Sequence, residues 1–312
     1  MNETVIQHER AHDFDPGHLT EGLRLHGLLL PSGVPGVAGY SATFEDVLHR
    51  FDALVLRTAA DDEAEHVAFP PVMSRRVLER VQYFQSFPHL CGVVYAFSGT
   101  ERQAHQLAER TKAGEPWSDF LGMAEVVLVP AACYPMYPSL TGTVPECGRL
   151  LTSHSWVYRH EVSAEPTRLQ SFRIREFVRV GTRDQCQDWR DGWSRRAQDL
   201  LLALGLPVTA DWAADPFFGR SGKLLAVGQK EQRLKIELRV PVWSETEPTA
   251  ICSFNLHQDH FSSLFDIRLD DGRLASTACL GFGLERIAIA LFQTHGFDPA
   301  GWPDGVRQLL WP

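Results

Sequence analysis

The stretch WVYRHEVSAEPTRLQSFRIREFVRVGT, residues 156–182, decides the fold class of this chain. Its apolar ends predict two β-strands joined by a polar loop. Successive strand side chains point to opposite faces. The return strand therefore carries Phe172, Ile174, Glu176, Val178 and Val180 on one face, and Arg173, Arg175, Phe177 and Arg179 on the other. By the same parity, Arg159 and Glu161 share a face of the first strand. Glu176 is the anomaly, because a carboxylate in an apolar row is costly to bury without a partner. Pairing with a core arginine is the plain structural explanation.

A second stretch, CLGFGLERIAIALFQTHG at 279–296, raises a related question. LASTACLGFG predicts a strand leading to a turn, and LERIAIALFQTHG a helix ended by Gly296. Gly281, Gly283 and Arg286 spell G-x-G-x-x-R, one letter from a dinucleotide-binding loop. That fingerprint belongs to a βαβ unit and needs a third glycine. Here the third place holds a guanidinium on the first turn of an apolar helix. It either pairs with Glu285 in an ordinary glycine turn, or stacks on a base and meets phosphate oxygens.

Elsewhere the elements follow in series. SATFEDVLHRFDALVLRTA predicts a helix capped by Ser41 or Thr43, with Phe44, Val47, Leu48 and Phe51 at helical spacing. VMSRRVLERVQYF and TERQAHQLAERTKA also predict helices, the second capped by Thr100. PSGVPGVAGY (31–40) reads as a loop. From residue 121 strands dominate: MAEVVLVPAACYPMYP predicts a strand running into an irregular loop. RLKIELRVPVW alternates Leu234, Ile236, Leu238 and Val240 against Lys235, Glu237 and Arg239. Strands without regular crossover helices predict an α+β fold: a mostly antiparallel sheet flanked by helices. The chain reads as a single domain over 1–312, mainly helical to about residue 115.

The totals set limits. With 30 Lys and Arg against 39 Asp and Glu, the net charge of −9 argues against non-specific wrapping of nucleic acid. An acidic carrier remains compatible if a local arginine patch receives it. No apolar run approaches the roughly 20 residues that span a bilayer. The polar start MNETVIQHERAHDFDPG is unlike a leader, so the expected location is the cytoplasm, without a membrane. The six cysteines include no C-x-x-C pair, and most are expected to be reduced, buried thiols.

Y-R-H-E at 158–161 resembles the F-R-x-E of motif 2 in class II aminoacyl-tRNA synthetases. The return strand carries their R-x-x-x-F element, and Gly281-x-Gly283-x-x-Arg286 resembles motif 3. A weaker motif 1 falls in WSDFLGMAEVVLVP, as a helix and then a strand closing at Pro130. Two R-x-x-x-F frames exist, Arg168…Phe172 and Arg173…Phe177. In seryl-type synthetases the adenine-stacking Phe precedes the amino-acid-binding Glu by four residues on one face, which selects Arg168 and Phe172. The resemblance implies that Arg159 holds the α-phosphate of ATP, that Glu161 lies near the adenine, and that Arg168, with Leu169 beside it, meets the γ-phosphate. Phe172 and Arg286 would sandwich the base. Lys235 and the segment Ala250, Ile251, Cys252 and Ser253 would complete the nucleotide site. The seryl pattern places a magnesium-binding Glu near 249–250, where this chain has Thr249 and Ala250.

In the zinc-dependent seryl-tRNA synthetases, a Cys after motif 1, the late Glu of motif 2 and a Cys just before motif 3 bind the metal. The matching places hold Cys133, Glu176 and Cys279. The resemblance thus implies Zn2+ with a fourth position open to the substrate amine, alongside ATP and Mg2+. Cys91, Cys147, Cys186 and Cys252 are left as structural thiols.

Such synthetases carry an extra N-terminal domain for tRNA, whereas here motif 2 begins near residue 156 and the region before it has no long heptad arm and no basic stretch. The chain in this respect resembles the truncated homologues, the amino acid:carrier-protein ligases, including P-A-A-C-Y-P-M-Y-P around Cys133. That likeness implies activation of glycine or alanine as an adenylate and transfer to the phosphopantetheine thiol of a carrier protein, with no tRNA. It further implies a homodimer through motif 1, and carrier reception near ADPFFGRSGKLLAVGQKEQ (214–232). A zinc-type seryl-tRNA synthetase, a non-catalytic synthetase paralogue and a dinucleotide-binding protein are the competing expectations.

Overall fold

The computed structural model describes residues 16–163 and 165–312, so the segment before residue 16 lies outside the described residues. Helix α1 (Pro16–Leu25) leads into a hairpin of β1 (Leu29–Pro31) and β2 (Ala38–Tyr40), with Leu29 opposite Tyr40. The segment read as a loop at 31–40 is therefore looped only between these strands. Gly33 and Gly36, at φ 82° and 72°, make the reversal that lets its ends pair. Helix α2 (Ala42–Thr58) is capped by Ser41, whose hydroxyl accepts the Phe44 N–H, and it buries the expected stripe of Phe44, Val47, Leu48 and Phe51.

After β3 (Glu65–His66), the run VMSRRVLERVQYF departs from the single helix expected of it. It forms β4 (Val72–Ser74), α3 (Arg75–Arg80) and α4 (Tyr83–Ser86). Gln82, at φ 56°, breaks the helix, and residues 72–74 are drawn into a sheet with 126–128. Next come β5 (Val93–Phe97), α5 (Glu101–Ala113) with a Thr100–Gln103 capping box, and β6 (Leu121–Leu128). The helix expected in WSDFLGM is only a 3-10 turn at Ser118–Phe120, because pairing with β5 already claims the chain at Leu121.

The rest comprises β7 (Gly142–Thr143), β8 (Arg149–Tyr158), β9 (Ser171–Gly181), α6 (Arg183–Ala203), β10 (Thr209–Trp212) and α7 (Gly219–Glu231). Then follow β11 (Lys235–Val240), β12 (Thr249–Gln258), α8 (His260–Phe265), β13 (Ile267–Arg268), β14 (Ser276–Gly283), α9 (Leu284–His295) and α10 (Asp304–Leu310).

A seven-stranded sheet in the order β10-β11-β12-β14-β9-β8-β3 organises the molecule. Every neighbouring pair is antiparallel except β3 with β8. This is the α+β architecture. One face packs on α2, α6 and α9 through Phe177, Phe254, Leu280 and Phe282, all fully buried. Each such side chain contributes about 2 kcal/mol relative to exposure. The other face bears Phe172, Ile174, Val178 and Cys279 against residues 73–144 and α8. The strand parity expected of 171–181 therefore holds.

Candidate active site

A cavity of about 1250 Å3 opens on the second face. Its floor comes from alternate residues of four central strands: Phe172, Ile174 and Glu176 of β9, Lys235 and Glu237 of β11, Ser253, Asn255 and His257 of β12, and Cys279 and Gly281 of β14. The period-2 alternation thus delivers one polar row per strand to one place. The hairpin β8–β9 differs at its tip from expectation. Strand β8 ends at Tyr158, so parity does not align Arg159 with Glu161. The chain turns there, with the Glu161 N–H donating to Arg159 O at 2.6 Å, yet both side chains still line the cavity.

At one end lie three buried side chains, Cys133, Glu176 and Cys279, whose donor atoms are all within 4.8 Å of one another. Glu176 Oε2 accepts only the Cys133 N–H, at 3.0 Å. No Lys, Arg or His forms an ion pair with it among the described residues, which removes the core-arginine explanation. Burial and the nearby Cys279 sulfur push the Glu176 carboxyl well above its usual range. The two thiols split. Donation from Cys133 holds Cys279 well below the ordinary thiol range despite burial, helped by His257 and Asn255, and Cys133 rises in turn. A buried carboxyl group without an ion-pair partner, set between two cysteine sulfurs, is a donor set that fits zinc or a similar divalent ion.

The other end holds Phe172 between two guanidinium groups, with Arg159 Cζ 5.6 Å and Arg286 Cζ 5.8 Å from its ring centroid. Arg286 does not pair with its neighbour Glu285. Its Nε donates to Thr167 O at 2.8 Å and its Nη1 to Ala250 O at 2.9 Å, which fixes the guanidinium plane across the loop tip. Glu285 is instead taken by Arg173 on the opposite face. Arg159 is oriented by donation to Pro130 O at 3.0 Å. Phe177, the rejected stacking frame, lies in the core behind the sheet.

The remaining expected residues divide. Arg168 lines the cavity, half exposed, and pairs with Glu165 at 2.9 Å and Glu161 at 3.3 Å. Lys235 donates to Asp215 Oδ1 at 2.5 Å and sits 3.2 Å from Glu237. Burial opposes the charges of both Lys235 and Asp215, but their mutual attraction raises the lysine and lowers the aspartic acid. Ala250, Ile251, Cys252 and Ser253 all border the cavity, though Ile251 and Cys252 are buried and also belong to the core behind the sheet. Leu169 is buried in the core and offers the cavity no side chain. Thr249 and Ala250 provide no carboxylate; Glu237 stands opposite Ser253 in the ladder but is already bonded to Arg239 at 2.7 Å. All six cysteines are free, and Cys147 is exposed rather than buried.

Asp215, Asn255 and His257 were missed by the sequence reading. The last two had a legible signal, since Ser253, Asn255 and His257 alternate with Cys252, Phe254 and Leu256. Asp215 had none, because its partner Lys235 lies 20 residues away across a helix.

No family model matches the sequence. The chain is similar to two curated proteins of Bradyrhizobium diazoefficiens. It is 44% identical to amino acid–acyl-carrier-protein ligase 1 over 89% of this chain and 86% of that protein. It is 46% identical to amino acid–acyl-carrier-protein ligase 2 over 89% and 84%. A type-2 serine–tRNA ligase of Methanopyrus kandleri is 26% identical over 83% of this chain, which spans only 53% of that relative. Among solved structures, M. kandleri SerRS in complex with A. aeolicus tRNASec has a TM-score of 0.81 at 24% identity, covering 95% of this chain and 60% of that one. This last likeness establishes the fold.

Proposed function

The chain belongs to the family of amino acid–acyl-carrier-protein ligases, and on that premise we propose that it activates glycine, or alanine, with ATP and transfers it to the phosphopantetheine thiol of a carrier protein. The observation that carries this reading is one cavity with two chemically distinct ends: Cys133, Glu176 and Cys279 at one, and the Arg159–Phe172–Arg286 group at the other.

Cys133, Glu176 and Cys279 would hold zinc, which would supply Lewis acidity to bind the neutral α-amine. Phe172 and Arg286 receive the adenine between an aromatic face and a guanidinium plane. Arg159 meets the α-phosphate and stabilises the charge that grows there. A carboxylate oxygen of the amino acid bonds to the α-phosphorus as the bond to pyrophosphate breaks. The carrier's thiol sulfur then attacks the carbonyl carbon, giving a thioester and AMP. Positioning and electrostatics supply the catalysis, and no protein nucleophile is required. Lys235 and Arg168 would meet the outer phosphates and their Mg2+.

The carrier docks on α7, which exposes Leu224, Leu225 and Val227 beside Arg220, Lys223 and Lys230. Apolar anchors ringed by cations suit an acidic partner that delivers a long thiol arm. Gln229 ties this helix to the site, donating to Asp215 at 2.8 Å while Asp215 holds Lys235. A homodimer forms over β5 and β6, where Val93, Tyr95, Phe97 and Met123 are exposed together. A carrier protein, rather than tRNA, is the acceptor.

Amino-acid-dependent exchange of labelled pyrophosphate into ATP tests the reading, across glycine, alanine and serine with and without a zinc chelator. The expected result is exchange with glycine or alanine that the chelator abolishes, followed by a mass increase of the holo-carrier. Exchange with serine alone would move the assignment to a seryl-tRNA ligase, and none with any amino acid would overturn it.

A further inference from the structure

One cavity residue beside the metal-ligand group has no part in the chemistry above. His257, two residues beyond Asn255 on β12, places Nε2 3.5 Å from Cys279 Sγ. Its Nδ1 lies 3.2 Å from Thr277 Oγ1 and 3.4 Å from Tyr137 Oη. The ring stands edge-on to Phe261 at 4.9 Å and 80°, and Phe261 stacks on Tyr137 at 4.0 Å and 13°. Tyr137 and Phe261 are both buried. The half-buried imidazole is therefore held at Nδ1 by Thr277 and Tyr137 and against the Phe261 ring, with its remaining side on the cavity.

His257 is not a fourth ligand. The donors of a tetrahedral zinc site all lie within about 4 Å of one another. His257 touches only the Cys279 corner, and the group of mutually close donors contains Cys133, Glu176 and Cys279 alone among the described residues. Asn255 reinforces the same corner by donating Nδ2 to Cys279 Sγ at 3.3 Å. Its Oδ1 is buried without a hydrogen-bond partner in the protein.

An α-amino acid held through its nitrogen at the triad and its carboxylate at Arg159 must send its side chain past the remaining wall. Resting on the function proposed above, we infer that His257 is a specificity-determining residue: it closes the space beside Cys279 to side chains longer than a methyl group. Overfilling the corner that Thr277, Tyr137 and Phe261 hold around the imidazole would force strained rotamers. One methylene at such a wall is worth about 10- to 200-fold in discrimination.

The test uses the full chain loaded with zinc, and calorimetric binding of non-hydrolysable aminoacyl-sulfamoyl adenosines carrying glycine, alanine or 2-aminobutyrate. In His257→Ala, with metal content equal to wild type, the preference for the glycyl over the 2-aminobutyryl compound should fall at least about tenfold. Phe261→Leu, which removes the buttress and leaves the imidazole, should move the same ratio in the same direction by less. An unchanged ratio in metal-loaded His257→Ala overturns the inference. If that variant fails to fold or to keep zinc, the Phe261→Leu ratio decides, and an unchanged value there overturns it. Wild-type protein that binds none of the three compounds would overturn the activation reading itself, and the inference with it.

Discussion

Strand β9 carries charge on both faces, and the two faces treat it oppositely. Behind the sheet, Arg175 makes a two-bonded pair with Asp52 at 2.7 Å and 2.7 Å. Arg173 donates to Glu45 at 2.6 Å and 2.6 Å and to Glu285 at 2.7 Å. On the cavity face, Glu176 is equally buried and receives one backbone N–H and no cation. A buried charge is tolerable only when compensated. The back of the strand is compensated from within the chain, so its charges fasten α2 and α9 to the sheet. The front awaits compensation from outside, so its charge marks a binding site.

The most severe way to break this contrast is to remove a front-face donor. Glu176→Gln and Cys279→Ser should each lose bound zinc by metal analysis and bring pyrophosphate exchange down to background. Metal-free Glu176→Gln should nevertheless unfold at or above the midpoint of metal-free wild type, because a poorly compensated buried carboxylate is gone. A clear drop in that midpoint would mean that the chain itself relies on this charge.

Behind the sheet the opposite is expected. Arg175→Met leaves Asp52 with His154 alone, at 3.3 Å, and should cost about 3 kcal/mol of folding stability in chemical denaturation. The exchange rate per folded molecule should stay at the wild-type level. Adding Asp52→Leu should recover most of the loss, since the pair is replaced rather than broken.

The same pair predicts a pH dependence. Burial alone would raise Asp52, but the bonds from Arg175 and His154 hold its carboxyl at about 2, against an ordinary value of 3.8. A carboxyl depressed by folding stabilises the native state above its unfolded value and loses that contribution as pH falls through the folded one. Wild type should therefore lose about 2 kcal/mol between pH 4 and pH 2 through this group. Asp52→Asn should lack that component, and parallel curves for the two proteins would refute it. The smallest effect concerns the nucleotide. Phe172→Leu should raise the ATP KM about tenfold, as loss of one stacked base does, with zinc content unchanged. Steady-state exchange kinetics would read it.

The cavity face of β9 was legible because a strand's side-chain period is two and Glu176 broke an apolar row. The choice of Phe172 over Phe177 followed from the same period, and the structure places one at the cavity and the other in the core. The caps at Ser41 and Thr100 were equally local, since a hydroxyl three residues before an N–H is a matter of neighbouring dihedrals. Local rules failed where the chain had a distant alternative. Residues 72–74 became a strand because 126–128 was there to pair with, and the expected motif 1 helix shrank to a 3-10 turn for a similar reason.

What the sequence by itself determined is the strand–loop–strand of motif 2, the G-x-G-x-x-R turn, the cap positions and the identity of three separated metal-ligand candidates. These rest on backbone periodicity and on residue types that a resemblance could align. Only the tertiary structure decided that Glu285 goes to Arg173 and leaves Arg286 to backbone carbonyls, that Asp215 holds Lys235, and that His257 stands beside Cys279. Those pairings join residues 20 to 119 positions apart. No local periodicity encodes them: they exist because one sheet brings alternate residues of four of its strands to the same cavity and sets the back of β9 against α2 and α9.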